Sequence, residues 1–521
     1  MSDVMLFNQY FTINKDSTEK IFPGLPINLL NLATYLNDNE VKCKIAELGI
    51  FSPNDSIIVD DRIRCGTTDE SIIDIIEREK PKVIGLSCMY SRHYVDIITI
   101  TKLIKDAYPG IFVVTGGNHA TTYPEMVLNS SEIDFVVLGE GEITFHELCT
   151  ALINGEDDYD GIAGLSYRDN EGKITTTKAR PLIKNLDILP IPDYTLLDVG
   201  RYLNMSYLSP FAMRYPHTGI MTSRGCPFKC NFCTVKAVWG RTFRGKSAKL
   251  VVDEIETLIN RYGVREVGFL DDSASTNKKR WMEICDEIIN RNIDIRWSTP
   301  NGIAFWTLDK PALKRMKEAG CYRITFGIES GNLETRKYIK KTYDLNQAKE
   351  LTQYANKIGL WTASTNILGF TYETADQMQD TIKYAKTSGV DFAAFFLLNP
   401  MPTSEVYDDF KKEGLADFDS IFSGVDFNAE RYDEMYKMLN EEGAPNKNFS
   451  RQEMKKIHLN AYRSFLSYRA ATFLNPARVI QKINSLEDLK YLVKLGKTGL
   501  RILSRSLHAK TTKTLLYNSN D

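Results

Sequence analysis

The sequence predicts an α/β protein made of two consecutive strand–helix series followed by a mostly helical end. Three observations carry this. Near-continuous apolar runs alternate with amphipathic stretches through residues 1–155, the pattern of a parallel sheet covered on both faces. Six further strand and helix candidates fill residues 216–405, the pattern of a partial (β/α)6 barrel. Beyond about Phe410 the apolar residues recur at helical spacing, so 406–521 reads as a helical domain. Residues 156–215 break the rhythm and read as a hairpin and linker.

In the first series the strand candidates are Val4–Phe11, Lys42–Leu48, Val83–Tyr90, Phe112–Thr115 and Phe135–Leu138. Helix-like segments lie at Ile27–Asn37, Thr68–Glu79, Arg92–Ala107 and Ile143–Ile153. Several strands end in glycine, at Gly49, at Gly116 and Gly117, and at Gly139 and Gly141. Ligands of open α/β sheets bind beyond the carboxyl ends of strands, where glycine admits close approach, although any one of these glycines serves equally well as a plain turn. Gly164–Arg168 and Lys173–Thr177 flank Asp169-Asn170-Glu171-Gly172 as a hairpin, and Pro190 and Pro192 make Leu186–Asp193 an extended linker. The barrel strands are expected at Thr218–Ser223, Glu266–Leu270, Asp294–Ser298, Arg323–Gly327, Thr362–Leu368 and Phe392–Leu398. The helices between them are expected at Ala248–Tyr262, Lys278–Arg291, Lys310–Ala319, Leu333–Ile339, Leu345–Ile358 and Thr374–Ser388.

Composition narrows the function classes. The 521 residues carry 65 Lys and Arg against 67 Asp and Glu, a net charge of −2, so no global field draws the chain to nucleic acid. No apolar run approaches the ~20 residues of a membrane-spanning helix. The start Met1-Ser2-Asp3-Val4 lacks a basic segment followed by a long apolar stretch, so a cytoplasmic location is expected. Residues 451–521 differ, with 14 Lys and Arg against 4 Asp and Glu. Met454–Phe473 and Leu486–Leu507 place basic residues among apolar ones at helical spacing. That pattern fits a solvated cap on the barrel, or peripheral contact with a membrane surface or a lipid-like substrate.

Three of the nine cysteines, Cys226, Cys230 and Cys233, fall within eight residues of Gly225-Cys226-Pro227-Phe228-Lys229-Cys230-Asn231-Phe232-Cys233. Thiolates suit zinc or iron–sulfur clusters. A closed zinc site takes four protein ligands, and no fourth Cys or His lies nearby. Three ligands on a cubane leave one iron open to a substrate or cofactor. The C-x3-C-x2-C spacing, with an aromatic before the last cysteine, resembles the signature of the radical S-adenosylmethionine (radical SAM) superfamily.

The resemblance implies that Cys226, Cys230 and Cys233 hold a [4Fe–4S] cluster whose open iron chelates SAM, and that an electron cleaves SAM to methionine and a 5′-deoxyadenosyl radical. It places Phe232 near the adenine, and Asp271 and Asp272, after the second strand, near the SAM ammonium. It places Glu329 or Ser330, after the fourth strand, near hydroxyls of SAM, and Gly369, after the fifth, where a backbone passes close to the adenine. For each aspartate, a solvated turn is the competing reading.

Residues 1–200 resemble the N-terminal Rossmann-like cobalamin-binding domain of one large subset of that superfamily. The resemblance rests on Pro26–Leu36, on Val83–Tyr90, on Val113–Thr121 with Pro124-Glu125, on Val137–Thr144 and on the Leu186–Pro192 linker, and it is collinear over 1–410. It implies cobalamin contacts from Ser87, Tyr90, Gly116, Gly117, His119, Gly139, Glu140 and Gly141. None of the six histidines stands in an Asp-x-His-x-x-Gly loop, so the lower face of cobalt would go to water or to a side chain of the Ser87–Arg92 loop.

The family precedent is hydrogen abstraction from an unactivated carbon followed by methyl transfer from methylcobalamin, with a small-molecule substrate, an external donor of flavodoxin or ferredoxin type, and no nucleic acid. Cyclisation, ring contraction or other C–C bond formation is the alternative. Methylthiotransferases need three more ligand cysteines, whereas Cys43, Cys65, Cys88, Cys149, Cys285 and Cys321 are dispersed. A non-catalytic cobalamin or metal sensor would need an output module, and none is recognisable.

Overall fold

The computed structural model describes residues 2–14, 24–49, 56–59, 62–203, 211–422, 438, 443–473, 479–483 and 485–508. The N-terminal sheet has seven strands. Its spatial order runs Ile174–Thr176, Leu165–Arg168, Phe135–Val137, Phe112–Gly116, Val83–Ser87, Val4–Asn8, Cys43–Glu47. The last five are mutually parallel. Alternation sorts each strand between two cores. Val4 and Leu6 meet Leu29, Ala33 and Phe145 on one face, while Met5 and Phe7 meet Ile72, Ile97 and Ile104 on the other.

Two differences from the sequence reading stand out here. The hairpin of 164–177 is not set apart with the linker but continues this sheet, Leu165–Arg168 pairing antiparallel with Phe135–Val137. The run Val4–Phe11 is two strands. The chain leaves the sheet at Gln9–Tyr10, and Phe11–Asn14 joins Arg62–Cys65 and Ser56–Val59 in a small antiparallel sheet that no periodicity announced.

The second unit is a six-stranded, all-parallel open barrel in sequential order. Its strands are His217–Ile220, Glu266–Phe269, Arg296–Ile303, Cys321–Glu329, Trp361–Leu368 and Phe392–Leu397. Phe269, Trp281 and Trp297 pack edge to face beneath it, with centroids 4.9–5.5 Å apart. The expected strand Thr218–Ser223 ends early, at Ile220. Ser223–Arg224 turns out of the barrel and pairs antiparallel with Arg244–Gly245. The expected Asp294–Ser298 runs on to Ile303, its register shifting around Pro300.

Among the described residues two long helices follow the barrel. Arg451–Phe473 lies on the last strand, Tyr462 and Phe465 packing against Phe395 at 5.4 and 6.1 Å. Leu486–His508 crosses the amino ends of the barrel strands. There Tyr491 meets Tyr322 and Trp361, each at 5.5 Å, and donates to Phe211 O at 2.9 Å. The buried Lys482–Asp391 pair, 2.8 Å apart, pins its approach. Among the described residues no helix is long and apolar enough to cross a membrane.

Candidate functional site

The short antiparallel pair of Ser223–Arg224 with Arg244–Gly245 closes a loop at the carboxyl end of the first barrel strand, and all three clustered cysteines lie on it. Gly225 opens the loop at φ +78°, and a Cβ there would sit 2.4 Å from Thr242 O and 3.0 Å from Trp239 O, so no other residue fits. Arg241 donates to Phe228 O at 2.7 Å and Asn231 to Tyr338 O at 2.9 Å, which fastens the loop to itself and to the barrel. Cys230 is buried, Cys226 and Cys233 are half-buried, and burial pushes all three thiols above their ordinary pKa. Among the described residues no three His, Cys, Asp or Glu side chains converge on one metal ion. Three thiols on one loop are a soft donor set that fits a cluster held by three protein ligands.

Around the loop, the residues singled out by the sequence separate into two groups. Asp272 and Glu329 lie within electrostatic reach of the cysteines, and Phe232 stands on the cysteine loop itself. Asp272 follows the second strand, and loss of water around its carboxyl, then the charge of Asp271, pushes it up to about 6. Glu329, at φ +62°, accepts from Lys341 at 2.9 Å and from Thr365 Oγ1 at 3.2 Å. Phe232 lies under the Lys341 ammonium, 5.8 Å from ring centroid to nitrogen.

The others are committed to the protein itself. Asp271 is buried; its Oδ1 accepts from Thr222 N and Oγ1 at 3.1 and 2.8 Å and from Ser223 Oγ, which buckles the start of the loop, while its Oδ2 has no hydrogen-bond partner among the described residues. Ser330 is buried, bonded to Thr381 Oγ1 at 3.0 Å and to Asn332 N at 3.1 Å. At Gly369, φ +99°, an added Cβ would meet Met454 Cε at 2.6 Å, so what comes close there is the C-terminal helix. Its N–H donates to Glu373 at 2.7 Å, and burial pushes that carboxyl up to about 7.

Two residues escaped the sequence reading. Lys341 follows Lys340 with no motif around it. Phe396 is 52% exposed although it belongs to a barrel strand. Phe395 packs outward on Tyr462, so alternation turns Phe396 inward, level with Ile367 and on the same face as Thr365.

Beyond the carboxyl ends of the N-terminal strands lies an apolar cavity of about 730 Å³ including its mouth. Ser87, Gly116, Gly117, Gly139 and Gly141 line it, with Asn28, Leu29 and Leu32 from the first helix. At Gly139 an added Cβ would meet nothing closer than Val238 O at 4.0 Å, so the glycine leaves that space open. Such a glycine-sided, apolar slot suits a flat organic ring. No histidine is among its lining residues. Tyr90, His119 and Glu140 also stand outside the lining. Tyr90 is exposed, with Arg92 5.3 Å over its ring. His119 is buried between Tyr94 and Tyr123, bonded to Ser91 Oγ at 2.9 Å, and burial pulls its pKa down to about 3.

The cavity and the cysteine loop share a wall, because Val238 and Trp239 of the loop complete the lining. A buried quartet of charges sits behind that wall. Glu140 accepts from Arg224 at 3.0 Å, from Arg244 at 2.7 and 2.8 Å, and from Ile183 N at 2.8 Å. Arg224 also grips Glu142 and lies 4.7 Å above the Trp239 ring. Burial opposes the charge on Glu142, but Arg224 prevails and holds its carboxyl below the usual range. Glu140 is therefore an inter-domain brace.

The Radical SAM superfamily profile matches residues 220–385 and the B12 binding domain profile matches residues 22–149. An uncharacterized methyltransferase of Pyrococcus horikoshii is 37% identical over 342 residues, covering 66% of this chain and 72% of that protein. A cytidylyl-2-hydroxyethylphosphonate methyltransferase of Streptomyces wedmorensis is 29% identical over 423 residues, covering 75% and 79%. An anaerobic magnesium-protoporphyrin IX monomethyl ester cyclase of Rubrivivax gelatinosus is 28% identical over 354 residues, covering 67% and 62%. Among solved structures, the radical S-adenosylmethionine methyltransferase TsrM from Kitasatospora setae, with cobalamin and a [4Fe–4S] cluster bound, superposes with a TM-score of 0.67 at 17% identity, covering 98% of this chain and 100% of that one.

Proposed function

We propose, because this chain belongs to the cobalamin-dependent branch of the radical SAM superfamily, that it transfers a methyl group from SAM to an unactivated carbon of a small molecule. It is an enzyme whose cofactors are a [4Fe–4S] cluster, SAM and cobalamin. When bound, these supply the 5′-deoxyadenosyl radical and carry the methyl group. One observation carries the methyl-transfer reading: the cysteine loop itself forms a wall of the N-terminal cavity, through Val238 and Trp239, so the two sites are neighbours across one loop.

The residues present have defined tasks there. Cys226, Cys230 and Cys233 would hold the cluster, and the Gly225 turn with the Asp271 buckle fixes where their loop leaves the barrel. The Ser87, Gly116, Gly139 and Gly141 edges would hold the flat tail of cobalamin. Asp272 would accept from the SAM ammonium. Phe396 offers an open apolar face in the barrel lumen, which supports a substrate with an apolar part near the reacting carbon. The electron would come from an external donor of flavodoxin or ferredoxin type.

The test is metabolic. Cells expressing the protein and fed methionine with a deuterated methyl group should accumulate a metabolite heavier by one intact labelled methyl, absent from cells lacking the protein. A new metabolite without the label would replace this reading by the cyclase-type alternative.

The basic tail supports a separate proposal, peripheral contact with an anionic surface. Leu486, Leu489 and Val493 are exposed on the terminal helix beside Lys490 and Lys497. That helix crosses the amino ends of the strands, opposite the cysteines, so such contact would not deliver a lipid to the active site directly. Protein lacking residues 486–521 should no longer co-sediment with anionic vesicles; equal sedimentation of both forms ends this proposal.

A further inference from the structure

Lys341 is a buried cation in the wall of the barrel lumen, three residues beyond the short helix Leu333–Tyr338. Its side chain is only 11% exposed. The ammonium donates to Glu329 Oε1 at 2.9 Å and to Gly327 O at 3.4 Å. It lies 5.8 Å from the ring centroid of Phe232, the residue next to Cys233, and 5.5 Å from that of Trp306. Trp306 is in turn stacked on Tyr343 at 5.0 Å, which stiffens that side of the enclosure.

A fixed cation beside a redox group favours the state with one more electron, and it does so most strongly where water is excluded. A fixed anion does the reverse. Lys341 and Glu329 therefore form a signed pair at the cysteine loop, the cation aimed at Phe232 and the anion held back by Lys341 and Thr365. We propose that Lys341 raises the reduction potential of the [4Fe–4S] cluster and that Glu329 limits this rise, so the pair sets how readily an external donor can load the electron. This rests on the reading that Cys226, Cys230 and Cys233 hold that cluster. Lys341 is a positioning residue for charge, distinct from the ligands themselves.

The experiment compares full-length wild type with Lys341→Met, Lys341→Arg and Glu329→Gln. Each is reconstituted anaerobically and checked for iron and sulfide content. The cluster is then titrated potentiometrically by electron paramagnetic resonance without SAM. Lys341→Met should shift the midpoint to more negative potential, so that at the wild-type midpoint the ratio of reduced to oxidised cluster falls about tenfold. Lys341→Arg should stay near wild type. Glu329→Gln, which removes the anion and keeps the cation, should shift the other way. A purely structural ion pair would alter thermal stability in both variants without opposite shifts, and equal midpoints at full cluster content overturn the proposal. If Lys341→Met takes up no cluster, the direction of the Glu329→Gln shift decides. Should wild type itself assemble no cluster, the failure lies with the reading of the cysteines, and the iron assay shows it before any titration.

Discussion

Replacing Cys230 by alanine leaves a folded protein that still binds cobalamin and forms no 5′-deoxyadenosine above the no-enzyme control. Cys230 is the buried member of the trio. A cubane held by three thiolates loses a corner when any one is removed, and two flexible attachments on one loop do not retain it. The fold has little to lose, because the loop is tied down by the Arg241 and Asn231 hydrogen bonds and by the Ser223–Gly245 strand pair, none of which involves the sulfur. Anaerobic reconstitution of both forms should give brown absorbance and SAM cleavage for the wild type alone, with circular dichroism unchanged. Wild-type rates of SAM cleavage in the variant would remove these cysteines from the chemistry.

The second large effect is on stability. Arg224→Met leaves the Glu142 carboxylate buried without its cation, while Arg244 continues to serve Glu140. Removing one partner of a buried ion pair costs about 3–5 kcal/mol, a large share of the ~5–15 kcal/mol that holds a domain folded. The apparent melting temperature should fall by roughly 10 °C. The double variant Arg224→Met with Glu142→Leu should recover most of that, since it removes both charges and not one. Thermal denaturation of wild type, Arg224→Met and the double variant checks this, and a single-variant loss below about 1 kcal/mol would mean that water reaches the pair and screens it.

Much of this molecule could be read before its structure. The cysteine spacing located the chemistry because ligand spacing is local in sequence. The two strand–helix series were legible because each strand is buried on both faces and so appears as an apolar run. What escaped were features whose cause is remote in the chain. The small sheet of Phe11–Asn14 with Arg62–Cys65 pairs short strands about fifty residues apart. Lys341 draws its significance from Glu329 and Phe232, which a sequence shows only as neighbours of other motifs. Glu140 looked like part of a cofactor loop, because a carboxylate after a glycine at a strand end often is. Its partners Arg224 and Arg244 lie some 84 and 104 positions away. Asp271 and Ser330 likewise take hydroxyl and amide partners that the fold supplies.

The charged quartet also constrains how such proteins can be recombined. A foreign N-terminal half grafted onto this barrel without acids equivalent to Glu140 and Glu142 would strand two guanidinium groups in a dry seam. A foreign barrel lacking the arginines would strand two carboxylates. Functional chimeras of this chain therefore have to exchange the seam as a matched set, with the crossover placed outside residues 140–244.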